Sequence, residues 1–497
     1  MIPALRRWAP RSLLALLFVT WCATIGWQTA KPLPDGLRVN GAYHDVPTES
    51  LRFLSDVTSA DAFGQRLMTQ GIFDATLALI HEAQGFLLVD YFLFNDDGGP
   101  ELDAGAPSQR PLSSELRQAL LARRAADPSL PMLVLVDPIN VHYLNDLSPE
   151  LLELQNAGID VVVTELDRLR DSNAMYSAAW RMGFKWWLKS EAGTLLPNPL
   201  DTRGERVSLG AWMRLLNFKA NHRKVALTRD ARGQLRGIVA SANPHDASSA
   251  HSNVAIEVRG PALESLLASE LAVARWSGWQ GALPPPLAAM PVEVPENQRS
   301  RVAVLTEGAI LDALLERIGA AGAGTSIDVA MFYLTQRDVI EALTDAARRG
   351  ASVRVLLDPN KDAFGYEKSG LPNRPMVSEL LTASDGAVRV RWYRTHGEQF
   401  HAKLVVVRDD RRTWMTLGSA NLTRRNLADY NLEANIAVDT PTGGELAATV
   451  LTWFDALWSN RAVAGVEYSA DAEMYADPSQ GRYWLYRLME GSGLSTF

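Results

Sequence analysis

The sequence contains only one cysteine among its 497 residues, Cys22. Because Cys22 lies in an apolar N-terminal segment, the rest of the chain can form no internal disulfide, and cysteine usage does not reveal the redox compartment. Cysteine and histidine residues nowhere have the spacing of a zinc site, and no glycine-rich loop precedes a lysine as in phosphate-binding loops. The sequence therefore implies neither a metal ion nor a nucleotide cofactor.

An excess of basic residues is also absent. The 49 Lys and Arg residues are outnumbered by 57 Asp and Glu residues, which gives a net charge of −8. A protein dedicated to nucleic acid is usually basic, so no nucleic-acid partner is expected. Hydrophobic residues make up 47% of the chain, and at this length two domains with well-filled cores are expected.

Residues 1–31 have the composition of a targeting segment. Three arginines precede an apolar run from Leu13 to Trp27, and Lys31 and Pro32 end it. A membrane span needs about 20 apolar residues, so this shorter run fits the core of a signal peptide. No good small-x-small cleavage site follows it. The segment predicts export to an extracytoplasmic (periplasmic) location, either anchored in the inner membrane by an uncleaved leader or released by cleavage.

Two stretches of the body share one pattern. Residues 222–243 read HRKVALTRDARGQLRGIVASAN, and residues 401–421 read HAKLVVVRDDRRTWMTLGSAN. If each His-x-Lys begins a strand, its imidazole and ammonium groups point the same way, and the following hairpin brings Ser and Asn back beside them. The predicted half-sites are His222, Lys224, Ser241 and Asn243 in the first copy, and His401, Lys403, Ser419 and Asn421 in the second.

This set of side chains suits a phosphodiester. Lysine and the Ser-Ala-Asn element can bind the non-bridging oxygens, while histidine can attack phosphorus or carry a proton. Two copies supply one histidine for each side of the phosphorus. A single His-x-Lys would more often be ordinary surface chemistry, but two copies with almost equal spacing favour a catalytic site.

The paired pattern resembles the twin HKD motifs of the phospholipase D superfamily, H-x-K-x4-D followed by a G/S-S-x-N element. The resemblance implies that one histidine forms a phosphohistidine, while the other protonates the departing alcohol and then deprotonates the acceptor. At the position of the family's aspartate this chain has Arg229 and Arg408. Asp230 and Asp409 follow one residue later and are the candidates for that structural role behind the histidines.

A carboxylate behind a catalytic histidine is another part of the resemblance. Glu433, in the stretch YNLEANIAV, matches the family's carboxylate that fixes the tautomer of a histidine. In the first half, Ala255 stands where that glutamate would be, and Glu257 lies on the same strand face. Glu257 is therefore the corresponding candidate, and the two half-sites are expected to differ chemically.

Outside these motifs, the body repeats one plan of alternating strands and helices. The matching predicted strands are residues 86–96 and 326–335, then 132–138 and 353–359, then 159–166 and 387–395. Two of them share the ending Val-Leu-x-Asp-Pro, and each half closes with a tryptophan-containing helix, at residues 263–276 and 446–458. This alternation predicts an α/β fold with two tandem sandwich domains, and the resemblance implies a pseudo-dyad with the active site at the domain interface.

The domain bounds follow from composition. The first phospholipase D-like domain is placed at residues 32–280, a Pro-rich linker at 281–300, and the second domain with a C-terminal helical tail at 301–497. The halves differ most between residues 166 and 221, where aromatic residues alternate with cations at 175–189. That stretch is either an interfacial helix that contacts membrane or an ordinary helix that buries its tryptophans.

The resemblance implies a phosphatidyltransferase or phosphodiesterase of the phospholipase D type that acts on membrane phospholipids. The stretch Tyr91–Asp97 is most similar to that of bacterial cardiolipin synthases, whose acceptor is the glycerol hydroxyl of a second lipid. Three alternatives remain open: a phospholipase D that makes phosphatidic acid with water, an HKD-type nuclease, and a non-catalytic phospholipid-binding protein. The expected partners are a phospholipid substrate and the membrane surface. A monomer is expected because one chain carries both half-sites.

Overall fold

The computed structural model describes residues 2–96, 109–191, 196–198, 200, 206–284, 295, 299–363, 366–461, 463–495 and 497. Of the features predicted from sequence, Asp97 and most of the Pro-rich linker lie outside these residues.

Strands and helices alternate through most of the described chain. The helices are α1 (Ile2–Ala30), α2 (Ile72–His81), α3 (Leu112–Ala126), α4 (Pro149–Asn156), α5 (Ala174–Ala179), α6 (Lys185–Trp187), α7 (Leu209–Leu215), α8 (Leu263–Trp276), α9 (Gly308–Gly319), α10 (Arg337–Arg348), α11 (Asn373–Ala383), α12 (Arg424–Leu427), α13 (Glu445–Ser459) and α14 (Gln480–Ser492). The strands are β1 (His44–Pro47), β2 (Leu51–Ala60), β3 (Arg66–Gln70), β4 (Gln84–Tyr91), β5 (Met132–Val136), β6 (Asp160–Val163), β7 (Lys224–Arg229), β8 (Leu235–Ala240), β9 (Asn253–Arg259), β10 (Arg299–Thr306), β11 (Ser326–Met331), β12 (Ser352–Leu357), β13 (Asp362–Ala363), β14 (Tyr366–Glu367), β15 (Val388–Tyr393), β16 (Lys403–Arg408), β17 (Arg412–Gly418), β18 (Ala434–Pro441) and β19 (Ser469–Asp471).

Two large sheets carry the same topology. The first has the strand order β3-β2-β9-β8-β7-β4-β5-β6, and the second has the order β1-β10-β18-β17-β16-β11-β12-β15-β19. In each sheet three strands run parallel, and the His-x-Lys hairpin, β7–β8 or β16–β17, pairs antiparallel with the first of them. The predicted α/β fold with two related domains is confirmed.

The two sheets face each other across a shared hydrophobic core. That core combines buried residues of both sheets with residues of α8 and α13. Helices α2, α3 and α4 cover the other face of the first sheet, and α9, α10 and α11 cover that of the second. Strands buried on both faces need apolar residues throughout, which explains the continuous apolar runs of the sequence.

The strand β16 shows how alternation divides its side chains between two cores. Leu404 and Val406 lie in the shared core, whereas Val405 and Val407 lie in the outer core of the second domain. Because both faces are buried, a shift of register by one residue would place Lys403 in an apolar core. The register of this strand therefore fixes the position of the lysine at the end of the sheet.

The N-terminal strands were missed by the sequence pattern, and one of them crosses between the halves. β1 pairs antiparallel with β10 in the second sheet, and β2 pairs with β9 in the first. Residues 32–280 therefore contribute a strand to the second sheet as well as forming the first. The crossing links the two domains through backbone hydrogen bonds in addition to side-chain packing.

Two predicted strands are shorter in the structure. β4 ends at Tyr91 and not at residue 96, and β11 ends at Met331 and not at residue 335. In both, the chain leaves the sheet to place a phenylalanine, Phe92 or Phe332, beside a histidine of the hairpin motif. The apolar runs continue past the strands because Phe94, Tyr333 and Leu334 are buried in the outer cores.

Helix α1 and the extra segment of the first half lie together. Residues 11–30 of α1 are long and apolar enough to cross a membrane, and their side chains are not buried. The indole Nε1 of Trp21 donates to the carbonyl of Met175 at 3.0 Å, and Gln28 O accepts from Asp171 N at 3.0 Å. The candidate span, residues 11–30, is five residues longer than the apolar run found in the sequence, residues 13–27.

The predicted helix at residues 175–189 is divided into α5, a π-helical turn (Trp180–Phe184) and α6. Trp186 and Trp187 are 74% and 83% exposed. The cations, however, are engaged by protein carboxylates, since Arg181 pairs with Asp171 at 2.8 Å and Lys185 pairs with Asp167. The segment therefore exposes two of its tryptophan rings, buries the third, Trp180, and uses these two cations internally.

Candidate active site

The two motif histidines lie at the contact between the domains, each just before its hairpin strand. His222 N donates to the carbonyl of Leu432 in the second half at 2.9 Å, and His401 N donates to the carbonyl of Ser252 in the first half at 2.8 Å. Each histidine is about 8% exposed. Because each backbone is held by the opposite half, the domain contact fixes the positions of both rings.

The residue before each histidine is held by a buried aspartate. Asp137 accepts from the backbone N–H of Asn221 at 2.7 Å, and Asp358 accepts from that of Phe400 at 2.7 Å. Burial raises the pKa of each aspartate to about 7 against these hydrogen bonds. These residues were missed as site residues, although the repeated Val-Leu-x-Asp-Pro ending was their signal in the sequence.

Each motif lysine turns back onto its own histidine. Lys224 Nζ donates to the carbonyl of His222 at 2.6 Å, and Lys403 Nζ donates to that of His401 at 2.9 Å. Both side chains are fully buried, and burial lowers the pKa of Lys224 to about 7 and that of Lys403 well below its ordinary value. A bound anion would stabilise the protonated form of both lysines, so the site is suited to a phosphate group.

A phenylalanine packs against each histidine and lysine. Phe92 contacts the ring of His222 with 4.9 Å between ring centres, and Phe332 contacts the ring of His401 at 5.0 Å. The ammonium groups of Lys224 and Lys403 lie 5.2 and 5.1 Å from the centres of these phenylalanine rings. The rings exclude water from the histidines and stabilise the cations through their faces.

His222 is oriented by a carboxylate from the other half. Its Nδ1 lies 3.0 Å from both oxygens of Glu433. Since a carboxylate only accepts, Nδ1 carries the proton and Nε2 keeps a lone pair for the reaction. Burial raises the pKa of Glu433, but His222 and Lys224 outweigh it and hold the pKa below its usual range. Burial lowers the pKa of His222 to about 4, against the effect of Glu433.

His401 is oriented by an amide instead. Its Nδ1 lies 3.1 Å from Oδ1 of Asn253, whose Nδ2 donates to the carbonyl of His251 at 3.1 Å. The second bond fixes the amide so that its oxygen faces the ring, and Nδ1 of His401 is again the donor. Burial lowers the pKa of His401 well below its ordinary value, and neighbouring Lys403 lowers it further. Sequence reasoning missed Asn253 and expected a glutamate four residues later.

The motif serines do not face a substrate in this structure. Ser241 Oγ donates to Asn253 Oδ1 at 2.9 Å and accepts from Val254 N at 3.0 Å. Ser419 Oγ donates to Glu433 and accepts from Ala434 N at 3.0 Å. The hydroxyls are fully buried and already bonded, so the predicted phosphate-binding role is replaced by one of holding the group behind each histidine.

The motif asparagines lie at the same site. Asn243 and Asn421 are each 6% exposed. The amide oxygen of Asn243 accepts from Leu93 N at 3.3 Å, which directs the amide nitrogen the other way. The corresponding oxygen of Asn421 is buried and has no hydrogen-bond partner. The structure therefore brings the His, Lys and Asn of each motif together, with the serine behind them.

Three predicted supporting carboxylates lie elsewhere. Glu257 forms ion pairs with Arg236 at 2.6 Å and with Arg52 at 2.6 Å, and it does not contact either catalytic-site histidine. Asp230 and Asp409 accept backbone N–H groups in the turns of their hairpins. One extra residue before each aspartate puts its side chain in the turn, so both aspartates are structural, but they do not support the histidines.

A buried ion pair supports Glu433 from behind. Glu307 Oε1 accepts from Glu433 N at 3.1 Å and from Arg223 Nη2 at 2.7 Å. Arg223, between the motif histidine and lysine, also pairs with Glu270 at 3.2 Å. This network exists only behind His222, because the second motif has Ala402 in place of Arg223. Among the described residues, no group of three or more candidate side chains could hold a metal ion.

Glu433→Gln is expected to lower kcat/KM by about 100-fold or more, because a wrong histidine tautomer disables this type of site. Both oxygens of Glu433 accept hydrogen bonds, from Ser419 and Asn426 as well as from His222. In the glutamine variant one oxygen becomes an NH2 group, which faces a donor in either orientation of the amide. The hydrogen bond to Nδ1 of His222 is therefore disturbed. Since Glu433 raises the pKa of His222, its loss should also move the acidic limb of the kcat/KM pH profile to lower pH.

The pH profiles of the wild type and of Glu433→Gln provide the measurement, with Glu257→Gln as a control on the corresponding strand. An acidic limb that moves to higher pH, or equal losses in both variants, would contradict the assigned role of Glu433.

Parts of this chain are similar to known proteins. Residues 314–458 match the family model described as "Cardiolipin synthase, PLD-like domain". The crystal structure of phosphatidylserine synthase from Haemophilus influenzae Rd KW20 is similar in fold, with a TM-score of 0.54 and 12% identity over 92% of this chain and 96% of that one. The phospholipase D family member Nuc from Salmonella typhimurium has a TM-score of 0.26 and 20% identity over 35% of this chain and 99% of its own. No curated protein matches the sequence.

Proposed function

Because this chain belongs to the phospholipase D superfamily, we propose that it transfers a phosphatidyl group between membrane lipids through a phosphohistidine, as a cardiolipin synthase does. The observation that carries the proposal is the pair of His-x-Lys motifs, each held by a polar group of the other half. Each histidine donates through Nδ1, so Nε2 of the neutral ring has a free lone pair. These rings, together with two lysines and two asparagines, match what a phosphodiester requires.

The proposed reaction has two steps. His401 takes up a proton on Nε2 when the anionic phosphodiester binds. In the first step, Nε2 of His222 attacks phosphorus, the bond to the departing alcohol breaks, and His401 gives this proton to that alcohol. In the second, neutral His401 removes the proton of the incoming hydroxyl, whose oxygen attacks phosphorus and releases His222. Lys224 and Lys403 stabilise the negative oxygens of phosphorus in both steps.

The acceptor decides between the main alternatives. With the glycerol hydroxyl of phosphatidylglycerol as acceptor, the products are cardiolipin and glycerol; with water, phosphatidic acid replaces cardiolipin. The buried histidines and the phenylalanine rings beside them limit access of water to the phosphohistidine, which favours a lipid acceptor.

Mass spectrometry of the lipids after incubation of the purified protein with phosphatidylglycerol tests this proposal. We expect cardiolipin and an equal amount of glycerol. Phosphatidic acid as the main product would identify a phospholipase D, and unchanged lipid would contradict the proposal. Cleavage of DNA under the same conditions would support an HKD-type nuclease.

We further propose that α1 is retained and anchors the body at a membrane. Its C-terminal half is bonded to the body through Trp21 and Gln28, and Lys31 Nζ donates to the carbonyl of Asp167 at 3.2 Å. Cleavage within the segment would remove contacts that hold the residues before α5. Trp186 and Trp187 lie in α6, close in sequence to these contacts. Their exposed rings are suited to the headgroup region of the bilayer that α1 would enter.

The anchored, extracytoplasmic location can be measured by labelling an introduced cysteine, because the chain has only one native cysteine to remove. In a Cys22→Ser background, Asp410→Cys places one thiol on the exposed β16–β17 turn. A membrane-impermeant maleimide should label it in intact spheroplasts, and the labelled protein should stay in the pellet after a carbonate wash. Labelling only after lysis would contradict the location, and release by carbonate would contradict the anchor.

A further inference from the structure

A third lysine lies beside the second half-site. Lys368 Nζ donates to the hydroxyl of Tyr333 at 2.9 Å and lies 5.8 Å from the centre of the Phe332 ring. Lys403 Nζ lies 5.1 Å from the centre of the same ring. Both ammonium groups therefore lie beside the same ring. Phe332 itself contacts His401.

The surroundings of Lys368 keep its ammonium group positively charged. Burial lowers its pKa, but Tyr333 and Asp358 outweigh burial and hold the pKa above its ordinary value. Asp358 uses one oxygen for Phe400 N and the other for Asn360 N. Among the described residues, no carboxylate lies within ion-pair distance of Lys368.

The connection that carries Lys368 has no lysine or arginine in its first-half counterpart. Lys368 belongs to the connection between β12 and α11, and the corresponding connection between β5 and α4, residues 137–148, contains no lysine or arginine. The first half-site instead has the carboxylate of Glu433, where the second has the neutral amide of Asn253. The second half-site therefore combines Lys403 and Lys368 with a neutral amide behind its histidine.

We propose that Lys368 binds a second phosphodiester, the one carried by the acceptor lipid. This inference rests on the proposed function and names its acceptor class: an alcohol that bears its own phosphodiester a few bonds from the reacting hydroxyl. The reacting phosphate occupies Lys224 and Lys403. The acceptor hydroxyl must reach His401, the proposed base of the second step, and its phosphate then lies on the side where Lys368 supplies a cation.

This arrangement favours a lipid acceptor over water. The charge-assisted contact to Lys368 stabilises a bound acceptor that carries a phosphate and gives nothing to water or to free glycerol. A neighbouring cation, Arg66, is not available in the same way, because it pairs with Glu398 at 3.4 Å and donates to the carbonyl of His396.

Two acceptors measured with one donor test this assignment. Phosphatidylglycerol vesicles that contain labelled glycerol offer both acceptors at once. Cardiolipin formation uses phosphatidylglycerol, an acceptor that carries a phosphate. Exchange of the headgroup for labelled glycerol uses an acceptor that carries none. We expect Lys368→Met to reduce the ratio of cardiolipin formed to glycerol exchanged by about tenfold, the usual scale for one charge-assisted hydrogen bond. Lys368→Arg should recover most of the ratio.

Lys361→Met is the matched control, because Lys361 lies in the same connection, is 41% exposed and faces Asp362 at 4.0 Å. It should keep the wild-type ratio. An unchanged ratio in Lys368→Met, or an equal loss of both products, would overturn the assignment while leaving the proposed function in place. Absence of both products with the wild type would contradict the proposed function and this assignment with it.

Discussion

His222→Ala and His401→Ala are each expected to reduce lipid turnover to less than about a hundredth of the wild-type rate, since each removes a group that carries the phosphoryl group or a proton. The fold should survive. Alanine keeps the backbone N–H that bonds to Leu432 or Ser252 across the domain contact. In His222→Ala, the buried carboxylate of Glu433 loses one partner but keeps the hydrogen bonds from Ser419 and Asn426.

Cardiolipin and phosphatidic acid formation, measured by mass spectrometry, give the rates, and circular dichroism checks the fold. His81→Ala is the control, because His81 is exposed at the end of α2, outside the site. Retention of more than about a hundredth of the rate by either variant would show that the two-histidine mechanism is wrong.

The repeated elements of the fold could be predicted because local pattern determines them. A strand buried on both faces needs a continuous apolar run, and the run at residues 353–359 corresponds closely to β12. The bounds of α8 at residues 263–276 agree with the prediction. The N-terminal strands could not be found in this way, because β1 contains only one buried residue, and β2 and its counterpart β10 share no sequence motif.

The site itself could be predicted only as far as the motifs extend. His222, Lys224 and Asn243 come together because one hairpin places them, and the second motif does the same for its own residues. The partners behind the histidines come from the opposite half, and sequence spacing contains no information about which residue reaches across. Glu257 was therefore chosen as the partner of the histidine in its own half. The structure instead uses Asn253, four residues earlier on the same strand, as the partner of His401 in the opposite half.

The two histidines are expected to have unequal roles in the reaction. After Nε2 of His222 attacks phosphorus, the ring still holds its Nδ1 proton and becomes positively charged, so the adjacent carboxylate of Glu433 stabilises the intermediate. Asn253 gives His401 no such charge, which suits a ring that releases its proton in the first step and is neutral afterwards. The anionic phosphodiester itself favours the protonated form of His401 before that step. Attack is therefore assigned to His222 and protonation of the leaving group to His401.

A nitrophenol ester of a phosphatidyl group separates the two roles, because nitrophenol leaves with little need for a proton. With this substrate, acid quench should trap a phosphohistidine on His222 in the His401→Ala variant, and the adduct should accumulate, since the base of the second step is missing. The His222→Ala variant should form no adduct. An adduct on His401 in that variant would reverse the assignment, and adducts on both histidines in the wild type would mean that Glu433 and Asn253 serve their rings equally well.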